Sequence, residues 1–199
     1  MDGQQQDRRL TLAVVAVWAC AGIMALAAVG AAAMLAKGGA LVTFGGTDGD
    51  LDVVSMGLLD RAEPAAGMDP VLADIPLGNR LLFAVAPLVT GASWVVGAQL
   101  VTRVLREIGA GRPFGPTVVR SLPRVALALG GGALAALAAD VVATLALIAS
   151  PAVLDLFAEA ASDSFEFPGT TFVCAVVIGA LGVAFRRGAV MERELAGLV

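Results

Sequence analysis

Four long apolar runs constrain the fold of this chain more than any other feature of its sequence. A helix needs about 20 consecutive, mostly apolar residues to cross the hydrocarbon core of a bilayer. The runs cover residues 10–36, 81–101, 125–149 and 170–185. Because lipid cannot satisfy backbone N–H and C=O groups, each run is predicted to be a transmembrane α-helix. The last helix is expected to extend past Phe185, with Arg186 and Arg187 at the interface.

The composition agrees with a membrane location. Of the 199 residues, 58% are hydrophobic and 15% are charged, against roughly 45–50% and about 25% in ordinary globular domains. Glycine accounts for 24 residues, and small side chains let helices approach closely in lipid. The sequence therefore predicts an all-α membrane protein, a single domain over residues 1–199 built as a bundle of four transmembrane helices.

The distribution of basic residues predicts the orientation of the bundle, because arginine and lysine concentrate in cytoplasmic segments. The N-terminal tail, the loop over residues 102–124 and the tail over 186–199 together hold ten of the thirteen basic residues. The loops over residues 37–80 and 150–169 hold the other three and most of the acidic residues. Both termini are therefore predicted to be cytoplasmic, and the two acidic loops to lie outside.

The first outer loop, residues 37–80, is too long for a simple turn. Within it, residues 40–44 and 51–56 flank a cluster of glycine and aspartate, which predicts a small β-hairpin. The aspartates that alternate near this turn suggest a calcium loop, but the glycine and distal glutamate of an EF-hand do not follow. A solvated loop is the favoured interpretation, with metal binding as the alternative.

Residue types needed for enzyme chemistry are scarce. Histidine is absent, which removes the commonest general base and metal ligand. Cys20 and Cys174 lie inside apolar runs without the spacing of a zinc site or a disulfide framework. No motif joins a nucleophile to a base, and the net charge of −4 argues against direct contact with nucleic acid. No catalytic residue, cofactor or metal is predicted.

Asp140 is the ionisable residue that lies well inside a span. A carboxylate at this depth costs about 2.5–3.5 kcal/mol on insertion scales, so it usually faces a protein interior. Thr90 and Ser93 on the second span are predicted at similar depth, and Thr144 lies one turn further along the third. Their hydroxyls would hydrogen-bond a protonated Asp140 in a neutral interhelical contact. A proton or cation relay and a lipid or ligand contact are the alternatives.

Small residues recur along the spans and indicate close helix packing. Gly130, Gly131 and Gly132 form a run in the third span, and Gly22 belongs to a shorter small-residue face in the first. Pro87 is predicted to kink the second span, because proline removes a helical hydrogen bond.

The sequence GAGRPFGP, residues 109–116, is predicted to be a corner between the second and third spans. Gly109 and Gly111 supply the backbone freedom that the end of a helix needs. Pro113 prevents the helix from resuming, and Pro116 fits the first turn of a new one.

A short amphipathic helix is predicted to follow the corner, over residues 117–122. Arg120 would face water, and the apolar side chains, Val118 among them, would face the membrane. Pro123 would bend this segment into the third span.

Two side chains of the corner need a reason beyond backbone conformation. Phe114 is predicted to be an interfacial anchor, and Arg112 to meet lipid phosphate or the acidic C-terminal tail. On a helical tail, Glu192 and Glu194 are predicted to pair with Arg112 or Arg120, so that tail and corner form one closed surface.

Two stretches of the sequence carry a resemblance: REIGAGRPFGPTVVRSLPRVA, residues 106–126, and GALGVAFRRGAVMERELAGLV, residues 179–199. They resemble the bacterial family of four-helix membrane proteins catalogued as domain of unknown function (DUF) 2975. The matching positions are Gly111, Pro113, Phe114, Phe185, Arg186, Gly188, Glu192 and Glu194. The resemblance covers mainly the half from the second span onward, and it departs at residues 115–117, where that family tends to have polar capping residues.

The resemblance implies a protein of the bacterial inner membrane, and it implies no particular activity, because none is established for that family. Genes of that family often lie beside those of small helix-turn-helix regulators, which implies a sensory or regulatory role with such a partner. We expect a non-enzymatic protein whose basic cytoplasmic face binds lipid or a protein partner. The residues predicted to form this interaction site are Gly111, Arg112, Pro113, Phe114, Arg120, Arg186, Glu192 and Glu194. The alternative is a small transporter or channel subunit that uses Asp140.

Overall fold

The computed structural model describes residues 2–37, 63–64, 74–112, 114–151, 157–159 and 169–196. Its helices are α1 (Asp2–Lys37), α2 (Leu77–Gly109), α3 (Pro116–Ile148) and α4 (Gly169–Ala196). Two short strands, β1 (Glu63–Pro64) and β2 (Phe157–Glu159), lie between helices in the chain. The predicted all-α fold with four long helices is confirmed.

Each helix contains a segment that is long and apolar enough to cross a bilayer. These segments are Leu10–Lys37, Leu77–Gly109, Pro116–Ile148 and Gly169–Met191, with mean hydropathies between 1.8 and 2.5. The helices α2 and α3 have 33 residues each, about 50 Å at the usual helical rise, whereas the hydrocarbon core is about 30 Å thick. Both helices are therefore long enough to project beyond the core.

The strands join the two loops that the sequence assigns to one side. They pair antiparallel, with Glu63 opposite Glu159 and Pro64 opposite Phe157, and the register is irregular between the two residues of β1. The predicted hairpin over residues 40–44 and 51–56, with the aspartates of its turn, lies outside the described residues.

The chain divides into two compact units. The first unit comprises Met1–Ala25, Thr90–Ala133 and Gly169–Val199, and the second comprises Leu26–Val89 and Leu134–Pro168. All of α4 belongs to the first unit, while α1, α2 and α3 contribute residues to both.

The first unit is a small bundle in which glycines set close helix contacts. Its core contains Val125, Leu129 and Ala175. A Cβ added at Gly130 would lie 3.3 Å from the Cβ of Ala175, and one at Gly132 would overlap the Cβ of Ser93. The predicted close approach of the third span is therefore confirmed at these two glycines.

Two other glycines that were predicted to make close helix contacts have open space beside them. Within the part of the chain that the structure describes, a Cβ at Gly131 or at Gly22 would meet no atom within 4 Å. Only alternate positions of the glycine run face a neighbouring helix, because successive helical residues point about 100° apart. The predicted small-residue face of α1 at Gly22 is wrong in that respect.

The segment after the corner differs from its prediction, because α3 is one helix from Pro116 through Pro123 into the span. Val118 is fully buried rather than turned toward the membrane. Ser121, Val125 and Leu129 continue the same buried row along α3. This buried row keeps helical spacing across Pro123, and α2 likewise includes Pro87. The bend at Pro123 and the kink at Pro87 stay predictions.

The second unit shows how the end of α1 is stabilised. Nη1 of Arg80 donates hydrogen bonds to the carbonyl oxygens of Leu35 and Ala36, each at 3.4 Å. The C-terminal end of a helix carries partial negative charge, which a cation compensates. Arg80, one of the few basic residues on the predicted outer side, therefore has a structural use there.

Candidate functional site

The corner begins with a glycine-dependent helix end on α2. Gly111 has φ of 75°, in the left-handed region that glycine adopts without a Cβ clash. Its N–H donates to the carbonyl of Ile108, and the N–H of Arg112 donates to the carbonyl of Glu107. These two bonds form the Schellman motif, which satisfies carbonyl groups left over at the end of a helix.

Gly109 has a different use from the one predicted. It remains inside α2, and a Cβ there would lie 2.5 Å from Cδ1 of Leu10 on α1. The helix end thus depends on Gly111, whereas Gly109 allows α1 and α2 of the first unit to pack closely.

Arg112 pairs with its own helix end rather than with the described part of the tail. Its Nε lies 3.4 Å from Oε2 of Glu107, and the two side chains are 68% and 26% exposed. The backbone N–H of Arg112 also donates to the carbonyl of Glu107, as part of the Schellman motif. An ion pair as exposed as this contributes about 0–1 kcal/mol to stability. At 68% exposure, most of the Arg112 side chain faces outward.

The start of α3 follows the predicted pattern. The N–H of Gly115 donates to the carbonyl of Arg112 at 3.1 Å, and the N–H of Val119 donates to the carbonyl of Gly115 at 3.2 Å. Gly115 is therefore the N-cap, and Pro116 occupies the first helical position, where its missing N–H costs nothing. Pro113 lies outside the described residues.

The corner contacts α4 through one aromatic side chain. The rings of Phe114 and Phe185 have centroids 5.8 Å apart and an interplanar angle of 44°, within the range of favourable aromatic pairs. A Cβ at Gly188 would lie 2.6 Å from Cε1 of Phe114. We call Phe114, Phe185 and Gly188 the junction. It joins the two sequence stretches that carry the family resemblance.

The next turns of α4 present an exposed surface beside the junction. A shallow depression of about 500 Å³ follows side chains at helical spacing, which we call the stripe: Val183, Arg186, Arg187, Val190, Met191 and Glu194. Val190 is 49% exposed and Met191 is 61% exposed. The stripe thus combines apolar side chains with two arginines and one glutamate.

The structure describes the side chains of only some of the predicted tail-to-corner ion pairs. Arg120, Arg186 and Glu194 are exposed, and Arg112 has Glu107 as its ionic partner. Among the described side chains, Glu194 has no ion pair with Arg112 or Arg120. The side chain of Glu192 is outside the described set. The aromatic contact joins α4 to the corner. Phe185 and Gly188 are three residues apart and lie on the same face of α4, and Phe114 packs against that face.

The predicted intramembrane polar group is divided between the two units. Asp140 is half-buried and Thr144 is buried, one turn apart on α3 in the second unit. In the first unit, the hydroxyl of buried Ser93 donates to the carbonyl of Thr90 at 2.7 Å, so its proton is engaged within α2. Asp140 has a polar interaction. The grouping of all four side chains stays a prediction.

Sequence reasoning missed one arrangement in the first unit. Cys20 and Cys174, which have no motif in common, line the same apolar cavity together with Trp94. Local spacing gives no signal for this, because the two thiols come from α1 and α4. Among the described residues, no cluster of cysteine, aspartate or glutamate has the arrangement of a metal site.

The four described helices, each with a segment long and apolar enough to cross a bilayer, indicate a multi-pass membrane protein of all-α fold. Comparison of the chain with protein-family models, with curated proteins and with solved structures gave no match.

Proposed function

We propose that this chain is a non-enzymatic protein of the bacterial inner membrane that binds a protein partner at its cytoplasmic face, in a sensory or regulatory role. The observation that carries the proposal is the stripe on α4. Val190 and Met191 are largely exposed there beside Arg186 and Arg187. Exposed apolar side chains rimmed by charge are typical of interaction surfaces.

The length of α4 supports a location of these residues at or beyond the lipid headgroups. Its 28 residues correspond to about 42 Å, about 12 Å more than the hydrocarbon core. Arginine pairs mark the cytoplasmic interface, so Arg186 and Arg187 divide the helix into a span and an extension. On this division Val190 and Met191, at the very end of the apolar segment Gly169–Met191, are proposed to lie on the cytoplasmic side of the arginine pair.

The chemistry of the stripe indicates what kind of partner fits. Methionine adapts to varied apolar surfaces, and the two arginines outnumber Glu194. A partner with an apolar patch and acidic residues at its rim is complementary. The family resemblance adds a small helix-turn-helix regulator as one such partner. The lipid surface is the other candidate for binding the stripe, and the test must distinguish it from a protein partner.

The proposal predicts that Met191→Glu weakens capture of the partner by about tenfold or more, since apolar anchors dominate binding energy. The measurement is crosslinking and affinity capture from native membranes, quantified by mass spectrometry. Met191→Leu is the matched control, because it keeps apolar volume at the same exposed site, and it should retain capture.

Two outcomes would contradict this function. Equal capture by the Glu and Leu variants would show that the stripe does not bind the captured proteins. Loss of binding to anionic vesicles by Met191→Glu, with unchanged protein capture, would assign the stripe to the membrane surface instead.

The alternative function is a small transporter or channel subunit, and Asp140 is the observation that favours it. Its side chain is half-buried on α3 within a membrane span, where carboxylates often carry ions or protons. Asp140→Asn keeps the shape and hydrogen-bonding capacity but cannot titrate. If Asp140 is a proton relay, the Asn variant should fold but lose proton flux in proteoliposomes. If Asp140 is a neutral structural contact, the Asn variant should be tolerated. Proton-coupled transport that persists in the Asn variant would exclude the relay.

A further inference from the structure

The first unit contains a cavity of about 310 Å³ that all four helices line. Its wall includes Cys20 from α1, Trp94 from α2, Leu129 from α3 and Cys174 from α4. A dry cavity of about 150 Å³ is already large enough to hold benzene. By that measure the space between the helices accommodates about a dozen carbon atoms.

The wall of the cavity offers no hydrogen bond to an occupant. Among the described residues, no nitrogen or oxygen atom contributes to its surface. Nε1 of Trp94 is buried in the packing and does not reach the space. A polar group placed in the cavity would lose its hydrogen bonds without replacement, and apolar cavities stay free of water. The occupant must therefore be hydrocarbon over the whole part that enters.

The cavity opens at a depth where a bilayer consists of acyl chains. Ala16 and Cys20 are exposed on α1, and Cys174 is partly exposed on α4, although all three belong to the wall. Cys20 and Trp94 lie more than two helical turns from either end of their apolar segments. Hydrocarbon chains therefore reach the opening without passing a polar layer.

The size of the cavity distinguishes a lipid chain from a protein segment. A helix is about 10–12 Å across, so a single turn of a second copy or of a partner is larger than the space. Left empty, the wall atoms lose their dispersion contacts. A lipid chain restores these contacts without leaving water, since it already lies in hydrocarbon. We propose that the cavity binds one acyl chain of a membrane phospholipid. This site does not depend on the proposed partner surface.

The experiment uses the fluorescence of Trp94 as the probe of the cavity. The chain has two tryptophans, and Trp18 is not part of the wall. In the full-length Trp18→Phe variant, all tryptophan fluorescence therefore comes from Trp94. The protein is placed in nanodiscs of phosphatidylcholine with a rising fraction of phosphatidylcholine whose acyl chains carry bromine. Bromine quenches indole on contact, so the quenching measures how closely a chain approaches Trp94.

A second substitution in this background occupies the cavity. Cys174→Phe places a ring in it, and a ring the size of benzene takes up about half of the volume. Quenching of Trp94 should then fall about twofold or more, because the chain no longer fits beside the ring. Val173→Phe is the matched control, since Val173 is 61% exposed and lies outside the wall. It should leave the quenching unchanged.

A second variant and a second measurement cover the case in which Cys174→Phe perturbs folding. Cys20→Phe enters the cavity from the exposed side of α1, and Ala19→Phe, outside the wall, is its control. In native mass spectra the unmodified protein and the control should retain one phospholipid, which Cys20→Phe should lose. Equal quenching in the Cys174→Phe and Val173→Phe variants, or equal phospholipid retention by Cys20→Phe and Ala19→Phe, would overturn the proposal.

Discussion

Two residues of the junction, Phe185 and Gly188, lie on the same helix as the stripe, but their burial differs from that of the stripe. Phe185 and Gly188 are partly buried against Phe114, whereas Arg187 and Met191, close by in sequence, are exposed. The junction contains the most distinctive residues of the two resembling stretches. The comparison teaches that a recognisable motif can mark a packing contact, while the surface that we propose for a partner lies on the adjacent face of α4.

The largest effect on this comparison is expected from Gly188→Ala. The added Cβ would lie 2.6 Å from the ring of Phe114, and a crowded contact of this kind costs about 1–3 kcal/mol. The free energy of unfolding should fall by that amount in SDS titrations of mixed micelles. Partner capture per folded molecule should be unchanged.

Gly131→Ala is the matched control for that variant. A Cβ at Gly131 meets no described atom within 4 Å, so alanine should be neutral or stabilising by up to about 1 kcal/mol. Equal stability of the two alanine variants would mean that Gly188 does not make room for the ring.

Gly111→Ala is expected to have an intermediate effect. Its φ of 75° places a Cβ in the left-handed region, at a cost of about 1–2 kcal/mol. Thermal unfolding in detergent should show the loss, and capture of the proposed partner per folded molecule should be unchanged. Gly78→Ala, in the first turn of α2 with open space around the site, serves as the control. A stable Gly111→Ala variant would argue against the Schellman motif at the corner.

The smallest effect is expected from Arg112→Gln. The side chain is 68% exposed, and exposed ion pairs contribute about 0–1 kcal/mol. Its unfolding free energy should therefore stay within about 1 kcal/mol of the parent protein. A larger loss, measured by the same SDS titration, would make Arg112 part of the packed junction instead of the exposed surface.

Sequence patterns predicted those features that depend on neighbouring residues. The apolar runs predicted four long helices, and the backbone freedom of glycine predicted the helix end that Gly111 forms. Pro116 begins α3 for the same local reason. These features follow from hydrophobic length and backbone sterics alone.

Contacts between distant residues were beyond such patterns. Phe114 and Phe185 meet only because α3 and α4 pack in the first unit, and Arg112 finds Glu107 through the geometry of the helix end. Val118 was predicted to face the membrane, but packing within the first unit buries it. Cys20 and Trp94 likewise gave no sequence signal of a shared cavity.

A double-mutant cycle on Phe114 and Phe185 tests the junction most directly. Phe114→Ala, Phe185→Ala and the double variant are compared by their unfolding free energies in mixed micelles. The contact between the rings predicts a coupling energy of about 0.5–1.5 kcal/mol. Additivity within about 0.3 kcal/mol would contradict the account, because independent residues behave in that way.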